Sequence, residues 1–168
     1  MATGLAMEVI GKADKKKTHF LLGVLHDVGK AVFKFRFPEH FAGIMDLVEK
    51  EGISMYKAEH ELLGITHAEC GGELAVHWDL PGEVRTAIAA HHTPAETTQH
   101  KRLAAMVHIA DIAVRTMKIG YAGDDLIPAM DPYAARLQKS VEEITSQHKT
   151  IVGQIDAMVG GSDQEEEN

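Results

Sequence analysis

The feature that most constrains the fold is an apolar segment, residues 20–28, that contains the adjacent pair His26 and Asp27. Its apolar side chains recur at helical spacing, which predicts a buried central helix capped by Thr18. A buried imidazole and carboxylate are costly unless each has a partner. Neighbouring residues of an α-helix point about 100° apart, so both side chains reach one partner only where the helix ends or distorts. We expect Gly29 to supply that interruption.

The remaining chain lacks strand signals. Val, Ile and Thr are scattered among Ala, Leu, Met, Glu and Lys, and no long alternation of apolar and polar residues occurs. We therefore predict an all-α protein, a compact multi-helix bundle that forms a single domain over residues 1–160. The predicted helices are 3–13, 18–28, 38–51, 54–63, 66–78, 80–92, 99–119, 133–139 and 140–159, with 30–37 helical or irregular and 121–132 a loop.

Capping signals place several of these boundaries. Thr66 and Glu69 have the spacing of a capping box, as do Ser140 and Glu143, so His67 is expected in the first turn of its helix. Glycines at 52, 64 and 120 mark predicted helix ends.

Composition excludes several classes of protein. A single Cys permits neither an intramolecular disulfide nor a thiolate cluster, which favours a cytoplasmic protein, and no apolar run reaches the length of a membrane span. The net charge is −8, and four acidic residues fall in the final segment, 161–168, which we expect to be a disordered tail. This balance gives no electrostatic footprint for nucleic acid.

Four polar residues besides His26 and Asp27 lie where chemistry is plausible. His91 and His92 end a predicted helix, where the helix dipole alone could favour two exposed histidines. Asp111 lies in an apolar helix and could simply pair with Arg115 at i+4. His67 by itself would be taken for a surface histidine.

Together the six side chains form a mixed nitrogen and oxygen set, which suits Mn, Fe, Zn, Ni or Mg. One or two such ions could serve phosphoester hydrolysis. The set is His26, Asp27, His67, His91, His92 and Asp111.

Residues 22–30, with the sequence LGVLHDVGK, resemble the signature of the HD superfamily of metal-dependent phosphohydrolases. Over about 21–113 the chain is similar to the HDOD branch, the HD-related output domains of bacterial signalling proteins. The segments that carry this similarity are 37–41, 59–64, 66–69, 71–72, Trp78, 80–81, 91–94 and 108–111.

The resemblance implies that the six side chains fall on the ligand positions of the related HD-GYP phosphodiesterases. No Gly-Tyr-Pro segment follows His92, so specificity for cyclic di-GMP is not implied. The superfamily's first histidine ligand has no counterpart before His26, so either the chain begins after that histidine or the site lacks it. We expect the first, a chain without the first family helix and the N-terminal subdomain of a typical HDOD member.

Two functions remain open. The first is a signalling output module that retains the metal site and contacts signalling proteins. The alternative is an active metal-dependent phosphohydrolase that acts on a nucleotide or other phosphoester. In that case the catalytic residues would be Asp27, which would anchor or bridge the ions, and Lys30, which could neutralise a phosphate or be a solvent-facing helix lysine.

Overall fold

A computed structural model describes residues 1–11, 18–137 and 141–160, and over these ranges the protein is all-α, without β-strands. The predicted acidic tail and the Ser140 cap lie outside the described residues. The helices are α1 Ala2–Gly11, α2 Thr18–Leu25, α3 Val28–Arg36, α4 Pro38–Glu51, α5 Met55–Leu63, α6 His67–His77, α7 Gly82–Ala89, α8 Lys101–Thr116, α9 Val141–Thr145 and α10 His148–Gly160, with a 3-10 turn at Ala134–Arg136.

The core is organised around α8, in which every residue from 104 to 114 is buried. Helices α1 and α7 pack on it, and α1 also packs on α2. A smaller apolar cluster, formed by Phe33, Ile44, Met55 and Ala58, joins α3, α4 and α5. Among the described residues, no helix is long and apolar enough to cross a membrane.

Several helix ends follow the local signals. The capping box at Thr66 and Glu69 is formed, and Ser54 caps α5 by accepting the Lys57 N–H. Gly52 and Gly64 end α4 and α5 in left-handed backbone conformations. These predictions are confirmed.

The expected interruption at Gly29 is wrong in its position. The helix breaks at His26 and Asp27 themselves, and Gly29 lies inside α3. A Cβ on Gly29 would overlap the carbonyl oxygen of His67, so this glycine allows α3 to approach the start of α6 closely.

Other boundaries also differ. Helix α8 ends at Thr116, so Gly120 does not end it as predicted. Helix α7 ends at Ala89, so the paired histidines lie in the bend after the helix rather than in its last turn. The predicted helix over 140–159 is divided into α9 and α10 by a turn at 146–147, and the predicted helix over 133–139 is reduced to the 3-10 turn.

Candidate metal centre

Four separate parts of the chain bring the predicted ligands together. His26 and Asp27 come from the turn between α2 and α3, and His67 is the first residue of α6. The bend after α7 contributes the paired histidines, and Asp111 lies in α8. These segments are distant in sequence, so tertiary packing creates the cluster.

Backbone carbonyls orient two of the imidazoles. The Nδ1 of His26 lies 2.8 Å from the carbonyl oxygen of Gly23, and the Nδ1 of His91 lies 2.7 Å from that of Ile88. A carbonyl can only accept, so each Nδ1 donates its proton and each Nε2 faces the cluster. His26 and His91 are both buried.

Glu59 orients the third imidazole, a role that the sequence analysis missed. The Oε2 of this fully buried carboxylate accepts the backbone N–H of His67 at 2.7 Å and lies 2.6 Å from its Nδ1. A carboxylate that accepts the Nδ1 proton of a histidine typically orients metal ligands. A signal was available, because Glu59 lies at helical spacing on the same buried face of α5 as Met55 and Ala58.

Acceptor atoms converge at the centre of the cluster. With Nδ1 directed at Glu59, His67 presents Nε2 to the cluster, where it lies 3.1 Å from Asp27 Oδ1 and forms a 3.0 Å hydrogen bond with His92 Nε2. The Nε2 of His91 lies 3.7 Å from the same Asp27 oxygen. Asp27 Oδ1 and His91 Nε2 make no hydrogen bond to any described residue, which is costly for buried polar atoms.

The separations of these atoms fit ligands of one ion. Zinc-to-ligand distances of about 2.0–2.1 Å place tetrahedral ligand atoms about 3.3–3.4 Å apart. The distances of 3.0, 3.1 and 3.7 Å bracket that value. The residues present therefore fit a divalent cation bound by three imidazoles and one carboxylate oxygen.

Two groups of three potential ligands occur among the described residues, and they share His91. One is His67, His91 and His92, and the other is His26, Asp27 and His91. Asp111 belongs to neither group, although its Oδ1 lies 3.7 Å from His26 Nε2. The ion pair with Arg115 that the i+4 spacing allowed is formed, with Arg115 Nε 3.0 Å from Asp111 Oδ2.

Lys30 is part of the cluster rather than a solvent-facing lysine. Its Nζ donates to Asp27 Oδ2 at 2.7 Å and to the carbonyl oxygen of Ala122 at 2.8 Å. The ammonium therefore holds one oxygen of Asp27, while the other oxygen faces the imidazoles.

Burial and neighbouring charges favour neutral imidazoles at His91 and His92 and a charged carboxylate at Asp27. Burial and the nearby His26 and His67 lower the pKa of His91 to about 3, and burial likewise lowers the pKa of His92 well below the usual imidazole value. Burial would raise the pKa of Asp27, but His26 and Lys30 hold it well below the usual carboxyl value. The result is two neutral imidazoles beside a carboxylate, the protonation states that metal binding requires.

The pKa shift of His26 is opposite in direction. Burial would lower its pKa, but the carboxylates of Asp27 and Asp111 outweigh burial and raise it. Burial would raise the pKa of Asp111, yet His26 and Arg115 lower it to about 2. His26 therefore holds a proton more readily than His91, which distinguishes this side of the cluster from the three-histidine side.

His108 supports the bend that carries the paired histidines. Its Nδ1 donates to the carbonyl oxygen of His91 at 2.8 Å, and its Nε2 accepts the N–H of Asp131 at 3.0 Å. Its contact is with the backbone, so it positions His91 without joining the ligand set.

Two cavities reach the cluster. A cavity of about 820 Å³ is lined by His26, Asp27 and Asp111, and a second of about 360 Å³ is lined by Tyr56, His92 and His108. The Tyr56 and His92 rings lie 4.4 Å apart between centroids. Small molecules of nucleotide size therefore have room beside the candidate ligands.

Comparisons with known proteins agree on the fold. A family model for the HDOD domain matches residues 1–94. An uncharacterized protein of Treponema pallidum (strain Nichols) is 29% identical over 97 residues, a match that spans 57% of this chain and 19% of that relative.

Three solved structures resemble the whole described fold. An HDOD domain protein with unknown function from Geobacter sulfurreducens has a TM-score of 0.67 at 24% identity, over 95% of this chain and 57% of that one. A candidate signal transduction protein from Marinobacter aquaeolei VT8 has a TM-score of 0.72 at 23% identity, over 96% and 36%. A candidate phosphohydrolase from Shewanella amazonensis SB2B has a TM-score of 0.69 at 22% identity, over 91% and 58%.

Proposed function

Because the chain belongs to the HDOD domain family, we propose that it is an output module of bacterial signalling that binds a divalent metal ion through His67, His91, His92 and Asp27. The name of the Marinobacter neighbour, a candidate signal transduction protein, supports the signalling role. On this proposal the partners are other signalling proteins.

The observation that carries the metal site is the convergence of three imidazole nitrogens and one carboxylate oxygen, two of which have no hydrogen-bond partner. Asp27 Oδ1 and His91 Nε2 are buried without a hydrogen bond to any described residue, and His67 Nε2 faces the same Asp27 oxygen. A single proton could form a hydrogen bond between only two of these atoms, whereas a divalent cation could be coordinated by all of them. Three imidazoles and one carboxylate favour Zn, Mn, Fe or Ni over Mg, which prefers oxygen ligands.

A bound ion would also stabilise the fold around it. The proposed ligands belong to the α2–α3 turn, the start of α6 and the bend after α7. An ion that binds the folded state and not the unfolded chain would link these three segments and raise the free energy of unfolding. A surface formed by these segments could then depend on metal, which suits a signalling module.

Metal analysis tests the proposal. Protein purified without chelator should contain at least one transition metal ion per chain by inductively coupled plasma mass spectrometry, and Asp27→Ala should lose it. His60→Ala is the matched control, because His60 is exposed and outside the cluster. A metal-free preparation that binds neither added Mn²⁺ nor Zn²⁺ would refute the proposal.

A metal-dependent phosphohydrolase is the second candidate function, and the larger cavity favours it. Arg115 and Lys118 line that cavity together with Asp27, so cationic groups are present where a phosphoester could enter. The neighbour from Shewanella is named as a candidate phosphohydrolase. A divalent cation at the site would supply Lewis acidity toward a phosphoester oxygen.

Activity assays separate the two functions. The metal-loaded protein would be incubated with Mn²⁺ and a panel of nucleotides and cyclic dinucleotides, with chromatography of the products as the readout. Turnover lost in Asp27→Ala and kept in His60→Ala would establish the hydrolase. Metal binding without turnover on the whole panel would favour the non-catalytic module.

A further inference from the structure

We infer that the cluster holds one divalent ion and not two, because Lys30 and Arg115 already occupy the outer carboxylate oxygens with positive charge. This inference rests on the proposed metal site and specifies its stoichiometry.

Asp27 presents its two oxygens to different surroundings. Oδ1 faces His67 Nε2 at 3.1 Å and His91 Nε2 at 3.7 Å and makes no hydrogen bond to a described residue. Oδ2 accepts from Lys30 Nζ at 2.7 Å and lies 3.4 Å from His26 Nε2. The oxygen that would have to bind a second ion is therefore already paired with an ammonium group.

Lys30 is fixed in this position. The same ammonium donates to the carbonyl oxygen of Ala122 at 2.8 Å, and 15% of the side chain is exposed. A long lysine on a surface loses conformational freedom when it forms an ion pair, but this one is already packed and held at two points. Displacing it would break both hydrogen bonds.

The other carboxylate on this side is paired in the same way. Asp111 Oδ2 accepts from Arg115 Nε at 3.0 Å, and Arg115 Nη1 also donates to Asp124 Oδ1 at 3.0 Å. Two carboxylates facing His26 are thus balanced by a lysine and an arginine. A second divalent ion would add two positive charges close to both cations, and Coulomb repulsion at such distances is strong in a buried site.

A second ion would depend on the Asp27 oxygen that Lys30 holds. The two potential ligand groups share His91, and the Nδ1 of His91 is used by the carbonyl oxygen of Ile88. The remaining Nε2 can bind one ion at a time. An ion at the three-histidine side therefore takes that ligand from the side of His26, where His26 Nε2, Asp111 Oδ1 and Asp27 Oδ2 remain. Lys30 holds Asp27 Oδ2, so a second ion could bind there only if that ammonium were removed.

Native mass spectrometry with increasing Zn²⁺ or Mn²⁺ tests the inference on the whole chain. Wild type should saturate at one ion, and Lys30→Met, which removes the charge while keeping the length, should saturate at two. Lys30→Arg keeps the charge and should stay at one. Lys34→Met is the matched control, because Lys34 is exposed on the same helix, and it should also stay at one.

The outcomes distinguish this inference from the proposal beneath it. Two ions in wild type, or one ion in Lys30→Met that is folded by circular dichroism, would overturn the inference and leave the metal site intact. Lys30→Gln gives the same test if the methionine variant does not fold. No ion in wild type would overturn the proposed metal site itself.

Discussion

Replacing Glu59 by glutamine tests whether His67 is oriented as a metal ligand. The carboxylate is fully buried and accepts both the backbone N–H and the Nδ1 proton of His67, at 2.7 and 2.6 Å. Glutamine keeps an acceptor oxygen but removes the negative charge that makes the imidazole a stronger ligand. Loss of such a supporting carboxylate typically weakens metal affinity about 10- to 100-fold.

The structure places Glu59→Gln at the lower end of that range. The amide oxygen can still accept from His67, so we expect about a tenfold weaker affinity, which corresponds to about 1.4 kcal/mol. Glu59→Ala leaves both His67 donors without their acceptor. We expect that variant to approach a hundredfold loss of affinity and to lose about 1–3 kcal/mol of folding free energy.

Competition with a chromophoric chelator for Zn²⁺ measures the affinity, and thermal unfolding with and without metal measures its coupling to the fold. Glu61→Gln is the matched control, because Glu61 is exposed on the same helix and pairs with Lys57 at 3.5 Å on the surface. A folded Glu59→Gln protein with wild-type affinity would refute the assigned role of Glu59.

Two further predictions concern the support of the site. Gly29→Ala should destabilise the protein by about 3 kcal/mol or more, because its Cβ would overlap the His67 carbonyl. Gly153→Ala is the matched control. It should stabilise the protein by about 0.5–1 kcal/mol, because a Cβ at this position in α10 meets open space and alanine favours the helix. Urea unfolding would measure both, and a well-tolerated Gly29→Ala would contradict the close approach of α3 to α6. Asp131→Asn should lower the free energy of unfolding by about 1–3 kcal/mol at neutral pH, because the carboxylate accepts hydrogen bonds from three backbone N–H groups. Burial would raise the pKa of Asp131, but these three hydrogen bonds lower it. The stabilisation by the Asp131 carboxylate is present above the ordinary carboxyl pKa and is lost as pH falls through the lowered pKa of the folded state. The difference in unfolding free energy between wild type and Asp131→Asn, measured in urea, should therefore vanish in acid. A difference that does not change with pH would contradict this origin.

Local sequence determined most helix ends. Ser54 and the Thr66–Glu69 capping box act on backbone N–H groups three residues away, and Gly52 and Gly64 end helices through their own backbone conformation. These interactions need no tertiary partner. The all-α fold and the family resemblance could therefore be predicted before the structure was known.

The interruption between α2 and α3 depended on packing. Glycine has a weak helix preference, and Gly29 follows the His26–Asp27 pair closely, so the sequence pointed to it. In the fold that glycine is needed inside α3 for the contact with His67, and the break moves to His26 and Asp27, whose side chains find partners there. A local propensity was overridden by a close contact between helices.

The sequence by itself determined which side chains are candidates for chemistry. Six polar residues at helix ends or in apolar helices were identifiable because burying them without partners would be costly. It could not determine which nitrogen of each imidazole faces the cluster, nor that Glu59 holds His67 and Lys30 holds Asp27. Those relations join segments far apart in the chain, and hydrogen-bond direction and charge pairing depend on distances that exist only after α3, α6 and α8 have packed together.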